Sequence, residues 1–363
     1  MMPEIQPVLL KQLGWDSFFE DRFRELTFPD AIPGRVASVH RNSCLVYTED
    51  ALLQAHVSGR LRYEAGEKGR FPAVGDWTVV SRLPDAGKGI IHAILPRRSQ
   101  FSRQAAGGRT EEQVVAANMD TVFIVGALDG GRSVNLRRVE RYLTLAWSSG
   151  ATPVILLNKA DLCHDVDASV RSVDQVAMGV PIHPVSATQR VGLDSLKRYL
   201  GPGSTAGFLG SSGVGKSALI NALLGEARQQ VGEIRERDHT GRHTTSSREL
   251  ILIHGGGTVI DTPGMREIQM WAGEDDVGGT FDDIEVLAGQ CRFGDCQHGT
   301  EPGCAVRAAI ERGDIDGARF DNYRKLQKEI HYHQARQAGS LRLDEKTRWK
   351  KISQWQKSLR KSR

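Results

Sequence analysis

The sequence predicts a multidomain α/β protein in three parts: a small N-terminal β-barrel, a central open sheet with helices on its faces, and a short helical unit organised by metal ligands. Three observations predict it. Residues 34–96 hold short β-rich pieces separated by turns, the spacing of a small barrel. Residues 121–261 alternate apolar runs with helical or polar stretches, the rhythm of buried parallel strands and their crossovers. Cys291, Cys296, His298 and Cys304 then fall within fourteen residues of one another. At 363 residues the chain is also longer than one hydrophobic core serves.

Residues 1–33 carry a helical pattern (Leu10, Leu13, Phe18, Phe19, Phe23, Leu26) that Pro29 and Pro33 end. Five strands follow, near Arg35–Val39, Ser43–Tyr47, Leu53–Val57, Asp76–Val80 and Gly89–Leu95. Five strands in some sixty residues fit an OB-fold, and Arg60, Arg62, Lys68 and Arg70 beside Tyr63 and Phe71 suit a polyanion. Residues 97–118 read as a polar linker with a helical end. Strands are expected at Thr121–Val125, Pro153–Leu157, Val180–Val185 and Thr205–Leu209, and helices at Leu136–Ser148 and Leu193–Leu200. Glu249–Ile253 and Thr258–Ile260 form a hairpin across Gly255–Gly257. The expected division is an N-terminal extension over 1–33, the barrel over 34–100, the α/β domain over 101–275, a metal-binding unit over 276–335 and a basic helical tail over 336–363.

Bulk properties narrow the classes. With 39% hydrophobic and 25% charged residues, the chain has ordinary globular composition rather than that of a disordered or fibrous one. No apolar run approaches the roughly 18 residues that cross a bilayer, and the first thirty residues lack a signal-peptide core. A monomeric cytoplasmic protein without a membrane partner is expected. The net charge of +4 conceals an asymmetry, because ten Lys/Arg from Arg336 to Arg363 face only Asp344 and Glu345. Such a tail is the electrostatic footprint of a polyanion partner.

The chemistry centres on Gly210-Ser211-Ser212-Gly213-Val214-Gly215-Lys216-Ser217, between an apolar strand and a helix opening at Ala218. Strand, glycine-rich turn and helix start make a phosphate cradle of backbone N–H groups. Lys216 would reach the β- and γ-phosphates, and the Ser217 hydroxyl would ligate Mg²⁺. Asn158-Lys159-Ala160-Asp161 ends another strand, on the edge of an α/β sheet where ligands bind. A carboxylate there accepts the two donors that guanine presents and adenine lacks, which argues against an ATP-using kinase. The Ser186-Ala187 backbone is expected to meet the guanine oxygen. Asp261-Thr262-Pro263-Gly264 would hold Mg²⁺ through a water and contact the γ-phosphate, and Thr244 or Thr245 would complete the metal shell from a switch loop. Where many GTPases place a glutamine, after Gly264, this chain has Met265, and His243 is the candidate to orient the attacking water. The reading is GTP hydrolysis to GDP and phosphate.

The base-reading motifs precede the phosphate motifs, the reverse of the usual order. A Ras-like sheet tolerates this because neighbouring termini can be joined and the chain cut elsewhere. Three thiolates and one imidazole in the Cys291, Cys296, His298, Cys304 cluster match a closed structural zinc site.

Together these features resemble the circularly permuted GTPase family named for its dependence on the small ribosomal subunit, ribosome small subunit-dependent GTPase A. The resemblance covers about residues 34–330. It implies an OB-fold barrel, a circularly permuted Ras-like P-loop GTPase domain and a C-terminal helical zinc-binding domain. It also implies hydrolysis stimulated by the 30S subunit, a role late in its maturation, and contact with 16S rRNA through the barrel and zinc domains. His243 as the hydrolytic residue and zinc at the four named ligands are implied as well.

Overall fold

The computed structural model describes residues 10–68, 71–85, 87–104, 112–129, 134–225, 248–253, 255–261, 278–332 and 335. They fall into two compact units, Met1–Ser102 with Val114–Ile268, and Arg103–Gln113 with Gln269–Arg363. No described helix is long and apolar enough to cross a membrane.

The first unit begins with helix α1 (Ser17–Arg24), capped by the Asp16 carboxylate, which accepts from the Phe18 N–H. Strands β1 (Ala31–Val39), β2 (Cys44–Tyr47), β3 (Leu52–Val57), β4 (Trp77–Arg82) and β5 (Lys88–Ile94) then close a barrel in the order β1-β2-β3-β5-β4-β1. Only β3 and β5 run parallel. Closure requires β1 to serve two partners, and its register shifts between Val36 and Ser38 so that the strand can bend. Val36, Val46, Leu53, Ala55, Val80 and Ile91 fill the interior. Helix α2 (Gly59–Lys68) adds Leu61 to that core from the β3–β4 connection.

The α/β part is a six-stranded sheet ordered β10-β9-β8-β11-β13-β12. Its strands are β8 (Thr121–Ala127), β9 (Thr152–Asn158), β10 (Ile182–Pro184), β11 (Thr205–Gly210), β12 (Glu249–Leu252) and β13 (Thr258–Asp261). Neighbours from β10 to β13 pair parallel; β12 alone runs antiparallel, as the hairpin partner of β13. Helices α3 (Leu136–Ser148), α4 (Val166–Ala177) and α5 (Lys216–Leu224) and a 3₁₀ segment at Leu193–Tyr199 complete the part. The core joins Phe123, Val154, Leu156 and Phe208 of the strands to Leu196, Leu219 and Ile220. At the far edge Ser38 of β1 pairs with Glu249 of β12, so barrel and α/β sheet form one continuous eleven-stranded ladder.

One expectation needs correction. Residues 97–118 are not a linker with a helical end, because β6 (Gln100–Gln104) and β7 (Glu112–Ala117) pair as a separate two-stranded sheet. Phe101 and Val115–Ala117 are buried, and burial overrides the polar composition of the segment. The helix expected near Leu193–Leu200 is present over Leu193–Tyr199 in 3₁₀ form, entered through Gly192 at φ 75°. The leading residues acquire a structural role. Arg35 of β1, 1% exposed, donates to the carbonyls of Leu13, Gly75 and Asn118, and Trp15 packs on Trp77 at 4.8 Å. Burial lowers the Arg35 pKa to about 10 against the pull of Asp120 and Asp76.

In the second unit α6 (Gly278–Ala288) and α7 (Ala305–Arg312) flank the cysteine cluster, and a helical run over 317–332 follows. Arg319 binds Asp283 through two hydrogen bonds of 3.0 and 2.9 Å and reaches the Thr280 carbonyl, locking the last helix to α6. Phe281, Ile284, Val306, Ala309 and Leu326 form its apolar interior.

Candidate nucleotide site and metal centre

The parallel strands bring the sequence-predicted residues that are described to one edge of the sheet. Gly210 ends β11, Asn158 ends β9, Asp261 ends β13, and Ser186 and Ala187 lie just past β10. That edge is the carboxyl end of every parallel strand, where α/β sheets bind ligands.

The loop Gly210–Gly215 depends on its glycines. Gly213 and Gly215 adopt φ 81° and 92°, and a Cβ on Gly215 would sit 2.3 Å from the Asn158 amide nitrogen. A side chain at Gly210, φ 152°, would strike the Val125 carbonyl. Lys216 opens α5 and folds back, its Nζ donating to the Gly210 and Ser211 carbonyls at 2.6 and 2.7 Å. Val214 is buried and anchors the loop in the core, while Ser212, Ser217 and Ala218 are exposed. The start of a helix at this loop suits an anion.

Asn158 joins the two motifs. Its Nδ2 donates to the Val214 carbonyl at 2.9 Å and its Oδ1 accepts from the Ala187 N–H at 3.1 Å, in a position only 2% exposed. The Ala187 N–H, expected to meet the guanine oxygen, is here engaged by Asn158. Ser186 is held by reciprocal backbone bonds with Val191, and its Oγ accepts from the Gln189 N–H. Lys159 occupies the left-handed region at φ 63°, a turn that presents the next residues outward. Ala160 and Asp161 follow in a 3₁₀ turn; Asp161 is exposed and its carboxylate has no hydrogen-bond partner among the described residues. Asp161 is therefore available to a ligand rather than buried.

His243, Thr244, Thr245 and Gly264 lie outside the described residues, as does the basic tail over 336–363. One contact that motif reading missed is from Arg138 of α3, whose Nη1 donates to Ser211 Oγ at 2.6 Å. Nothing in the local sequence signals it, since the two residues are 73 positions apart.

In the second unit the ligand atoms of Cys291, Cys296, His298 and Cys304 all lie within 4.8 Å of one another. Cys291 Sγ is 3.9 Å from Cys304 Sγ, and His298 Nδ1 is 3.6 and 3.4 Å from these two sulfurs. A tetrahedral zinc with Zn–S bonds of about 2.3 Å sets neighbouring sulfurs about 3.8 Å apart, so the donor set fits in both chemistry and size. Cys304 caps α7, its sulfur accepting from the Arg307 N–H. His298, at φ 56°, has its pKa lowered chiefly by burial, which favours the neutral imidazole that binds metals. The Glu301 carboxylate accepts from the Gln297 and Gly299 N–H groups at 3.1 and 2.6 Å, fixing the loop that carries His298.

Comparison with known proteins agrees with this architecture. The RsgA GTPase family profile matches residues 94–271. A small ribosomal subunit biogenesis GTPase RsgA of Opitutus terrae is 44% identical, over 96% of this chain and 97% of its own length. RsgA 2 of Lactiplantibacillus plantarum, of the same description, is 48% identical over 83% of this chain and 84% of its own. Among solved structures, YjeQ from Thermotoga maritima aligns over 83% of this chain and 98% of its own with a TM-score of 0.61 and 28% identity. YloQ, described as a circularly permuted GTPase, aligns over 83% and 95% with a TM-score of 0.60 and 25% identity. With a barrel closed as in an OB-fold, a sheet whose strand ending at Asn158 comes before the strand ending at Gly210 in the chain, and relatives matched along nearly their whole length, the chain belongs to the RsgA GTPase family.

Proposed function

We propose that the protein hydrolyses GTP to GDP and phosphate on the small ribosomal subunit and assists its late maturation. The observation that carries the reading is the convergence of Gly210–Ser217, Asn158–Asp161, Ser186–Ala187 and Asp261 on one sheet edge. In this reading the loop N–H groups and Lys216 hold the phosphates. Ser217 and Asp261 serve Mg²⁺, which neutralises charge on the phosphate oxygens when bound. Asp161 selects guanine. His243, with Thr244 and Thr245, orients water and completes the metal shell, and Gly264 contacts the γ-phosphate.

Cys291, Cys296, His298 and Cys304 would hold one structural zinc, which contributes folding energy and no chemistry to the reaction. The barrel, the zinc-binding unit and the basic tail are the surfaces proposed to grip 16S rRNA. The protein acts as a monomer in the cytoplasm, where these subunits mature. The test is GTP turnover by the purified chain, alone, with 30S subunits and with 50S subunits as control. Stimulation confined to 30S supports the reading. Turnover that prefers ATP, or that ribosomal particles leave unchanged, removes it.

A further inference from the structure

Arg138 stands in the first turn of α3, beside Arg137, and the two behave differently. Arg137 pairs with the buried Glu140 at 2.7 Å. Arg138 has no carboxylate partner among the described residues and is directed instead at Ser211 Oγ, 2.6 Å away. Ser211 is also the residue whose carbonyl accepts from Lys216 Nζ at 2.7 Å. Two cationic groups thus converge on one residue of the glycine-rich loop. Like charges so placed repel, and an anion in the loop turns that repulsion into attraction. The anion that relieves it best is the more highly charged one.

We infer that Arg138 is a positioning residue that makes the loop favour a nucleoside triphosphate over a diphosphate. It holds Ser211 and sets a second positive charge beside Lys216. The inference rests on reading Gly210–Ser217 as the guanine-nucleotide loop. Arginine suits the task better than lysine. Its planar fork can keep one N–H on Ser211 while the remaining N–H groups stay free for phosphate oxygens. Arg138 comes from the β8–β9 crossover, far in the chain from every phosphate motif, so the device is visible only once the sheet has assembled.

Equilibrium titration of the full chain with fluorescent GDP and a fluorescent non-hydrolysable GTP analogue tests this, with Arg138→Ala, Arg138→Lys and Ser211→Ala compared with the parent protein. Thermal melts accompany each variant. Arg138→Ala is expected to weaken the triphosphate about tenfold, as for loss of a charge-assisted hydrogen bond, and to change GDP affinity less than about twofold. Arg138→Lys should restore part of the loss, and the preference should shrink with added salt. Should Arg138→Ala lose its cooperative melt, Arg138→Gln, which removes the charge but keeps a donor for Ser211, carries the same comparison. Equal weakening of both nucleotides, or no change in either, overturns the inference. A parent protein that binds no guanine nucleotide defeats the functional reading itself, a result these variants do not mimic.

Discussion

Asn158→Ala is the sharpest probe of how the proposed nucleotide site is held. The side chain makes two buried hydrogen bonds, to the Val214 carbonyl at 2.9 Å and from the Ala187 N–H at 3.1 Å. Truncation leaves one carbonyl and one N–H without their partner in a position 2% exposed. At about 1–3 kcal/mol for each orphaned group, the loss should be about 2–6 kcal/mol, the lower end applying if water enters. Urea unfolding of the ligand-free protein reads this as a lower midpoint at unchanged slope. Asn158→Asp keeps the acceptor for Ala187 but turns an oxygen toward the Val214 carbonyl, so it should lose at least as much. Asp161→Ala is the control: the carboxylate is exposed and has no partner among the described residues, so ligand-free stability should hold within about 0.5 kcal/mol while guanine affinity falls. An Asn158→Ala protein with the parent midpoint and the parent GDP affinity would refute the reasoning.

Three further outcomes are expected. Asp161→Asn should exchange guanine for xanthine nucleotides in competition binding, because the new amide donates where guanine needs an acceptor and xanthine carries a carbonyl. Arg97 grips the fully buried Asp76 through two bonds of 2.7 Å, and Arg97→Ala should cost about 3–5 kcal/mol by stranding that carboxylate; in a double-mutant cycle, Asp76→Ala on top should recover part of the loss. The purified protein should contain one zinc per chain by elemental analysis. Cys291→Ser should abolish it and lower helicity, and Glu301→Gln should hasten its loss to a chelator while leaving the ligand set intact.

Much of this protein is written locally. A glycine-rich loop between strand and helix, an Asn-Lys-Ala-Asp turn after an apolar run, and four candidate metal ligands within fourteen residues are legible because each pattern is completed by neighbours in sequence. For the same reason α3 appears over the predicted Leu136–Ser148. Helix α2 was not legible: Gly59–Lys68 is largely polar, and it earns its place through Leu61 and Ala65, buried four residues apart. The β6–β7 ladder is not legible either, because its buried residues sit at the ends of a polar stretch and pairing is not a local property.

By itself, then, the chain order of motifs determined the chemistry and the permuted topology of the sheet. Tertiary structure alone decided that β1 of the barrel completes the edge at β12, that Asn158 takes the Ala187 N–H, and that Arg138 reaches the glycine-rich loop. The physical reason is range. Backbone turns and ligand spacings are set within a few residues, whereas an edge pairing or a side chain crossing between loops exists only after distant strands have been brought side by side.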